Sequence, residues 1–236
     1  MQDLCVFAVA GSAVSADVTA ATLEAYARWA PRYPPVPHNP LMRAEQAVML
    51  EHWPAVAGRR ALDLASGSGR YSRLLAETGA ADIVAVDFCA PMLAQVSTAV
   101  RVCASMMQLP FANDSFDVVI SGLALGHATC VQAWMLEVAR VLKPGGELLY
   151  SDFHPEAARM RLTRSFNDEN EQTWTVPHRW YDLNCQMAAA RAADLTIDVV
   201  REIRAGEDLR EPFADSEEFY KKWHGLPIVL VVRARK

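Results

Sequence analysis

Ala61-Leu62-Asp63-Leu64-Ala65-Ser66-Gly67-Ser68-Gly69 decides the fold of this 236-residue chain. An apolar strand carrying one acid runs straight into a turn of small residues. Gly67 and Gly69 lack a Cβ, so the backbone can take positive φ angles there and a ligand can come close to the peptide N–H groups. Arg70 to Glu77 then reads as a helix, whose unpaired first-turn N–H groups attract a polar or negative ligand end.

The next acid in register is Asp87, at the end of the strand-like run Ala81-Asp82-Ile83-Val84-Ala85-Val86 and eighteen residues after Gly69. In doubly wound α/β folds a carboxylate about 20 residues beyond the turn meets the hydroxyls of a ribose, which points to a nucleoside-containing cofactor. A dinucleotide site uses G-x-G-x-x-G around a pyrophosphate. Here the third position is Ser72, and Asp63 within the strand would repel a pyrophosphate and favour a cofactor with a cationic amino group. A NAD(P)-dependent oxidoreductase remains the alternative reading of the same sheet.

The run resembles the first motif, D/E-x-G-x-G-x-G, of class I S-adenosylmethionine (SAM) dependent methyltransferases, with Asp63, Ala65 in place of the first glycine, Gly67 and Gly69. Further matches follow in family order. Val86-Asp87-Phe88 with Pro91-Met92-Leu93 is similar to the ribose-binding strand end and its helix. Leu109-Pro110-Phe111-Ala112-Asn113-Asp114-Ser115-Phe116-Asp117 is similar to the LPF-x-D-x-SFD signature before strand four. Arg140-Val141-Leu142-Lys143-Pro144-Gly145-Gly146 is similar to the turn before strand five. The matches cover about residues 55–155 and resemble the subgroup of quinone C-methyltransferases and the biotin-synthesis malonyl-carrier-protein O-methyltransferase.

The resemblance implies an α/β, Rossmann-like sheet, mainly parallel with an antiparallel last strand and helices on both faces. It divides the chain into an N-terminal helical cap, 1–54, and a SAM-binding domain, 55–236, with an insertion at about 156–181. The implied cofactor is SAM, leaving as S-adenosylhomocysteine (SAH). Its contacts would come from Asp63, Ala65, Gly67, Gly69, Asp87, Phe88, Met92, Ser105, Met106 and Ser121. The family's usual Gly-Asp-Ala at the adenine is replaced by Ala104-Ser105-Met106, leaving a hydroxyl and a backbone N–H for that role. A non-catalytic SAM-binding partner subunit is the reading this replacement keeps open.

The length suits one α/β domain with elaborations. A net charge of −5 argues against nucleic-acid binding, which needs a basic patch or stripe. The five cysteines, Cys5, Cys89, Cys103, Cys130 and Cys185, are scattered and fit reduced thiols in a cytoplasmic protein. Leu4 to Val14 is too short to span a membrane and lacks a preceding basic segment. The six histidines show no metal-ligand spacing, so no metal is expected. The partner expected is a small molecule, with a homodimer left open.

Residues 15–31 read as a helix capped by Ser15 or Asp17, followed by a proline-rich loop to Pro40 and a helix over 41–53. Strands are expected near 60–64, 82–86, 100–103, 116–121 and 146–152, with helices near 70–78, 91–97 and 131–142. This alternation gives right-handed crossovers and a parallel sheet. A helix over 187–193 and strands over 195–203 and 227–234 follow, with a long loop through Glu207 to Glu218 between those strands.

Ligands bind beyond the carboxyl ends of such strands. His127 after strand four and His154 after strand five are therefore candidate proton acceptors. His127 alternatively caps a helix or stacks beside the cofactor, and His154 alternatively fixes a turn before Pro155. Tyr26 and Tyr33 lie where related enzymes fold over the cofactor's methyl end and are read as substrate contacts or as an aromatic cluster with Trp29. His178, Arg179 and Tyr181 suit a planar or anionic substrate, or a surface hairpin packed by its aromatics. The implied reaction is methyl transfer to oxygen, nitrogen or activated carbon of a small molecule in a biosynthetic pathway.

Overall fold

The computed structural model describes residues 18–160, 162–209 and 217–236. Inside its sheet lies β1 (Arg60–Leu64), whose alternating side chains serve two cores. Ala61 packs into one hydrophobic cluster, Leu62 and Leu64 into the other. β2 (Asp82–Asp87) and β4 (Phe116–Gly122) flank β1 in parallel, and β3 (Val100–Cys103) and β5 (Leu142–Phe153) extend the sheet outward, also in parallel. β8 (Thr196–Arg204) and β9 (Pro227–Arg235) complete seven strands in the order β3-β2-β1-β4-β5-β9-β8. The last strand is antiparallel to both neighbours and lies inside the sheet, leaving β8 at the edge.

Helices cover both faces. α2 (Pro40–Glu51), α3 (Arg70–Glu77) and α8 (Glu217–Trp223) pack with Ala61, Ile120 and Leu149 on one side. α5 (Val131–Val141) and α7 (Leu183–Ala192) pack with Leu62, Val119 and Leu148 on the other. Asn39 caps α2, its side chain accepting from the Met42 N–H at 2.8 Å, and Pro40 takes the first position, where no N–H is needed.

α1 (Val18–Trp29) joins a two-stranded hairpin, β6 (Arg164–Asn167) and β7 (Thr173–Val176). Trp29 stacks on Phe166 with centroids 4.5 Å apart, and the Arg28 guanidinium lies 4.3 Å over the Trp174 ring. The expected insertion therefore contains this hairpin and the short α6 (Pro155–Arg159). The proposed caps Ser15 and Asp17 and the apolar Leu4–Val14 stretch lie outside the described residues.

Several elements differ from expectation, α7 beginning at Leu183 rather than 187 and β5 at Leu142 rather than 146. The helix expected over 91–97 is α4 (Ala90–Leu93) alone, because the chain turns so that Val96 packs beneath Gly69, where an added Cβ would lie 3.0 Å from Val96 Cγ2. The described part of the expected 207–218 loop holds a 3-10 turn, Glu207–Leu209, and the start of α8, whose Tyr220 and Trp223 are buried three residues apart. Among the described residues no helix is long and apolar enough to cross a membrane.

Candidate active site

The turn after β1 is built from left-handed backbone: Ala65, Gly67 and Gly69 have φ of 56°, 55° and 88°. At Gly67 a Cβ would meet nothing within 4 Å, so φ rather than space asks for glycine, and the open side faces a cavity. Ala65 holds the same region with a side chain, a conformation costing roughly 1–2 kcal/mol.

Strand alternation turns Asp63 toward α3, where the Ser72 hydroxyl donates to its Oδ2 at 2.6 Å. Ser72, in the place of a third glycine, thus anchors the acid. Burial raises the Asp63 carboxyl to about 6, against the pull of the Ser72 bonds and Arg70. Asp87 ends β2 with both oxygens engaged by backbone: the Gly67 N–H donates to Oδ2 at 2.7 Å and the Cys89 N–H to Oδ1 at 2.8 Å. Burial lifts it to about 6 as well, opposed by the Cys89, Gly67 and Phe88 N–H groups. Each oxygen keeps a second lone pair for a ligand hydroxyl.

The cavity is lined by Asp63, Ala65, Gly67, Asp87, Phe88 and Met92 on this side, and by Ser105 and Met106 beside them. Ser105 is exposed, and its hydroxyl accepts from the Met107 N–H at 3.2 Å, leaving its proton available. Tyr26, Tyr33, His127 and Arg164 also line the cavity. Arg164 Nη1 donates to the Tyr26 hydroxyl, whose oxygen lies 3.0 Å from His127 Nε2, and Nη2 donates to the Leu123 carbonyl at 3.0 Å. Burial and the Arg164 charge push His127 down to about 3, the Pro177 backbone opposing them, so the ring is neutral. With Tyr26 raised by burial and kept protonated, its O–H donates to the His127 lone pair.

Other expected residues lie off the cavity. Gly69 starts α3, and Ser121 is buried in the sheet. His154 Nδ1 accepts from the Glu156 N–H at 3.1 Å, capping α6, and its Nε2 lies 3.4 Å from Glu202. His178 is buried against Phe153 and Trp180, with Nε2 3.4 Å from Asp152, and its ring occupies the space that a Cβ on Gly126 would need. The Arg179 N–H donates to the Gly126 carbonyl and the Tyr181 hydroxyl to the Ala128 carbonyl, both at 2.8 Å. These three residues brace the loop that carries His127.

The sequence reading did not include Arg164, nor the buried network beneath the turn. Glu45, fully buried, receives Arg70 Nη1 and the Tyr71 hydroxyl at 2.6 Å and the Ser151 hydroxyl at 2.5 Å. Arg70 and Tyr71 line the cavity. A glutamate at a helical position otherwise rich in apolar neighbours was the available signal.

The strand order, the left-handed turn after β1 and the buried acid ending β2 define a Rossmann-like fold of the class I methyltransferase type. Residues 62–150 match a family described as a methyltransferase domain. It is similar to a demethylmenaquinone methyltransferase of Corynebacterium urealyticum, 41% identical over 98 residues, 41% of this chain and 42% of that protein. It is also similar to a malonyl-[acyl-carrier protein] O-methyltransferase of Enterobacter lignolyticus, 28% identical over 210 residues, 87% of this chain and 78% of that one. The first curated relatives it matches are much longer than the matched stretch, which spans 24%, 42% and 44% of them. An S-adenosylmethionine dependent methyltransferase from Mesorhizobium loti shares the fold, with a TM-score of 0.64 at 24% identity over 82% of this chain and 98% of that chain.

Proposed function

We propose that the protein binds SAM and transfers its methyl group to a small-molecule acceptor in a biosynthetic reaction. The observation that carries this reading is the pair of buried acids, Asp63 and Asp87, bracketing the left-handed turn in the cavity that Tyr26, His127 and Arg164 also line. The residues fit the cofactor. Asp63 suits an ammonium group, directly or through water, and Asp87 suits ribose hydroxyls. The glycine turn admits the methionine chain, and Ser105 with Met106 offers a hydroxyl and an apolar edge to adenine. A pyrophosphate would instead face the buried Asp63 carboxylate, which disfavours NAD(P).

When bound, SAM supplies a sulfonium whose methyl carbon accepts the acceptor's electron pair while the C–S pair remains on sulfur, leaving SAH. The protein's contribution is alignment and exclusion of water. Tyr26 and Tyr33 orient the acceptor from the α1 side. His127 is neutral and its Nε2 lone pair receives the Tyr26 O–H, so a proton from a protonated acceptor reaches it by way of that hydroxyl, which takes the acceptor's proton as it passes its own to Nε2. His154 has a capping role in this reading, and His178, Arg179 and Tyr181 set the position of His127.

Incubation with methyl-labelled SAM and a panel of carboxylic acids, phenols, quinols and amines tests the proposal. Labelled product with stoichiometric SAH supports it. Bound SAM with no turnover across the panel favours a non-catalytic subunit, and NAD(P)-dependent oxidation favours a dehydrogenase.

A further inference from the structure

Among the described residues Arg164 has no carboxylate paired with it. Its hydrogen bonds go to the neutral Tyr26 hydroxyl and the Leu123 carbonyl, with His127 Nε2 3.3 Å away, and its guanidinium lies 4.9 Å over the Phe153 ring. Among the described residues no carboxylate lies within ion-pair distance of it. Asp152, the nearest acid acting on it, is felt only through space and stands 3.4 Å from His178 instead.

The neighbours do not neutralise this charge. His127 is neutral, and Tyr26, held by two hydrogen bonds, is a protonated phenol. The wall after β4 therefore carries the Arg164 charge with only the unbonded Asp152 acting on it through space, whereas the turn after β1 carries Asp63 and Asp87. Charged guanidinium groups away from bulk water are ordinarily paired, and Arg is the side chain best shaped to hold an oxyanion. Arg70, the other arginine lining the cavity, is paired to Glu45 at 2.6 Å and does not share this property.

We infer that Arg164, with the Tyr26 hydroxyl beside it, forms a subsite for an acceptor that carries an ionised oxygen group. This rests on the methyl-transfer reading for the word acceptor, but the subsite itself is an anion site on the β4 side of the cavity. The alternative occupant is the carboxylate of SAM. Asp63 and the glycine turn, where the amino-acid end would lie, belong to the β1 side, whereas Arg164 is bonded to Leu123 beyond β4.

The test is calorimetry with benzoate, 4-nitrophenolate and neutral benzamide, each titrated into the protein with and without SAH. One or both anions bind wild type about tenfold or more tightly than benzamide, the scale of a charge-assisted bond. Benzoate alone identifies a carboxylic acid acceptor, and nitrophenolate alone a phenol or enol. Arg164→Gln abolishes the preference while SAH affinity stays within about twofold, and Arg164→Lys, which keeps the charge, retains part of it. The lysine variant serves as the readout should the glutamine variant fail to fold in a melting curve. Equal binding of anions and benzamide to wild type overturns the proposal, as does an Arg164→Gln variant that loses SAH and not the anions. Arg164-dependent anion binding in a protein that takes no SAH keeps the subsite and removes the methyl-transfer reading.

Discussion

Arg164 donates a hydrogen bond to the hydroxyl of Tyr26 across 138 residues of chain. The bond joins the β6–β7 hairpin to α1, and both of its residues line the cavity. Tyr26→Phe removes it together with the bond to His127 Nε2. Stability falls by about 1–3 kcal/mol, since partly buried polar groups lose their partner, and turnover falls while SAM affinity changes little. Urea unfolding and cofactor titration check both, and a variant that loses SAM but keeps its stability contradicts this arrangement.

Asp87 is the expected ribose acceptor. Asp87→Ala weakens SAM by about 1.5–3 kcal/mol if two charge-assisted bonds are lost, and it also frees the Gly67 N–H that shapes the turn. An unchanged dissociation constant removes Asp87 from the binding site.

Asp63 and Asp87 titrate near 6 in the folded protein, against 3.8 for an ordinary aspartate, with burial the leading cause in each. A carboxyl whose folded pKa is raised holds its proton more tightly when folded, so its contribution to stability declines as pH rises between about 4 and 6. Cofactor binding runs the other way, because the cation prefers the ionised pair. SAM affinity rises about tenfold from pH 5 to pH 7 with proton release near pH 6, and Asp63→Asn flattens the slope. Calorimetry in buffers of different ionisation enthalpy reads the protons directly, and a flat wild-type profile contradicts the coupling.

Glu45 gathers Arg70, Tyr71 and Ser151 in the interior beneath the turn. Glu45→Ala strands the Arg70 charge and costs about 3–5 kcal/mol in urea unfolding. A loss below about 1 kcal/mol means that water reaches Arg70 and the network is not closed.

What could be read from the sequence was local. The Asp63 to Gly69 turn declares itself because left-handed backbone selects small residues, and apolar runs alternating with helical stretches announce a parallel sheet. The β9 strand could be anticipated as antiparallel, but its place between β5 and β8 depends on pairing distant in sequence. Arg164 was hidden for the same reason: in a four-residue strand it looks like a solvated charge until the hairpin docks on α1. His154 shows the converse. Its position at a strand end follows from the pattern, but the side chain is turned by Pro155 and Glu156 into a helix cap. α8 escaped because it is short and its buried Tyr220 and Trp223 stand beside Lys221 and Lys222.

Titration of the purified protein with SAM by calorimetry, with NAD as the control, tests the central claim most directly. Saturable, stoichiometric binding of SAM, weakened by Asp87→Ala, with no heat from NAD, is the expected result. Binding of NAD, or no binding of SAM to the folded protein, would contradict it.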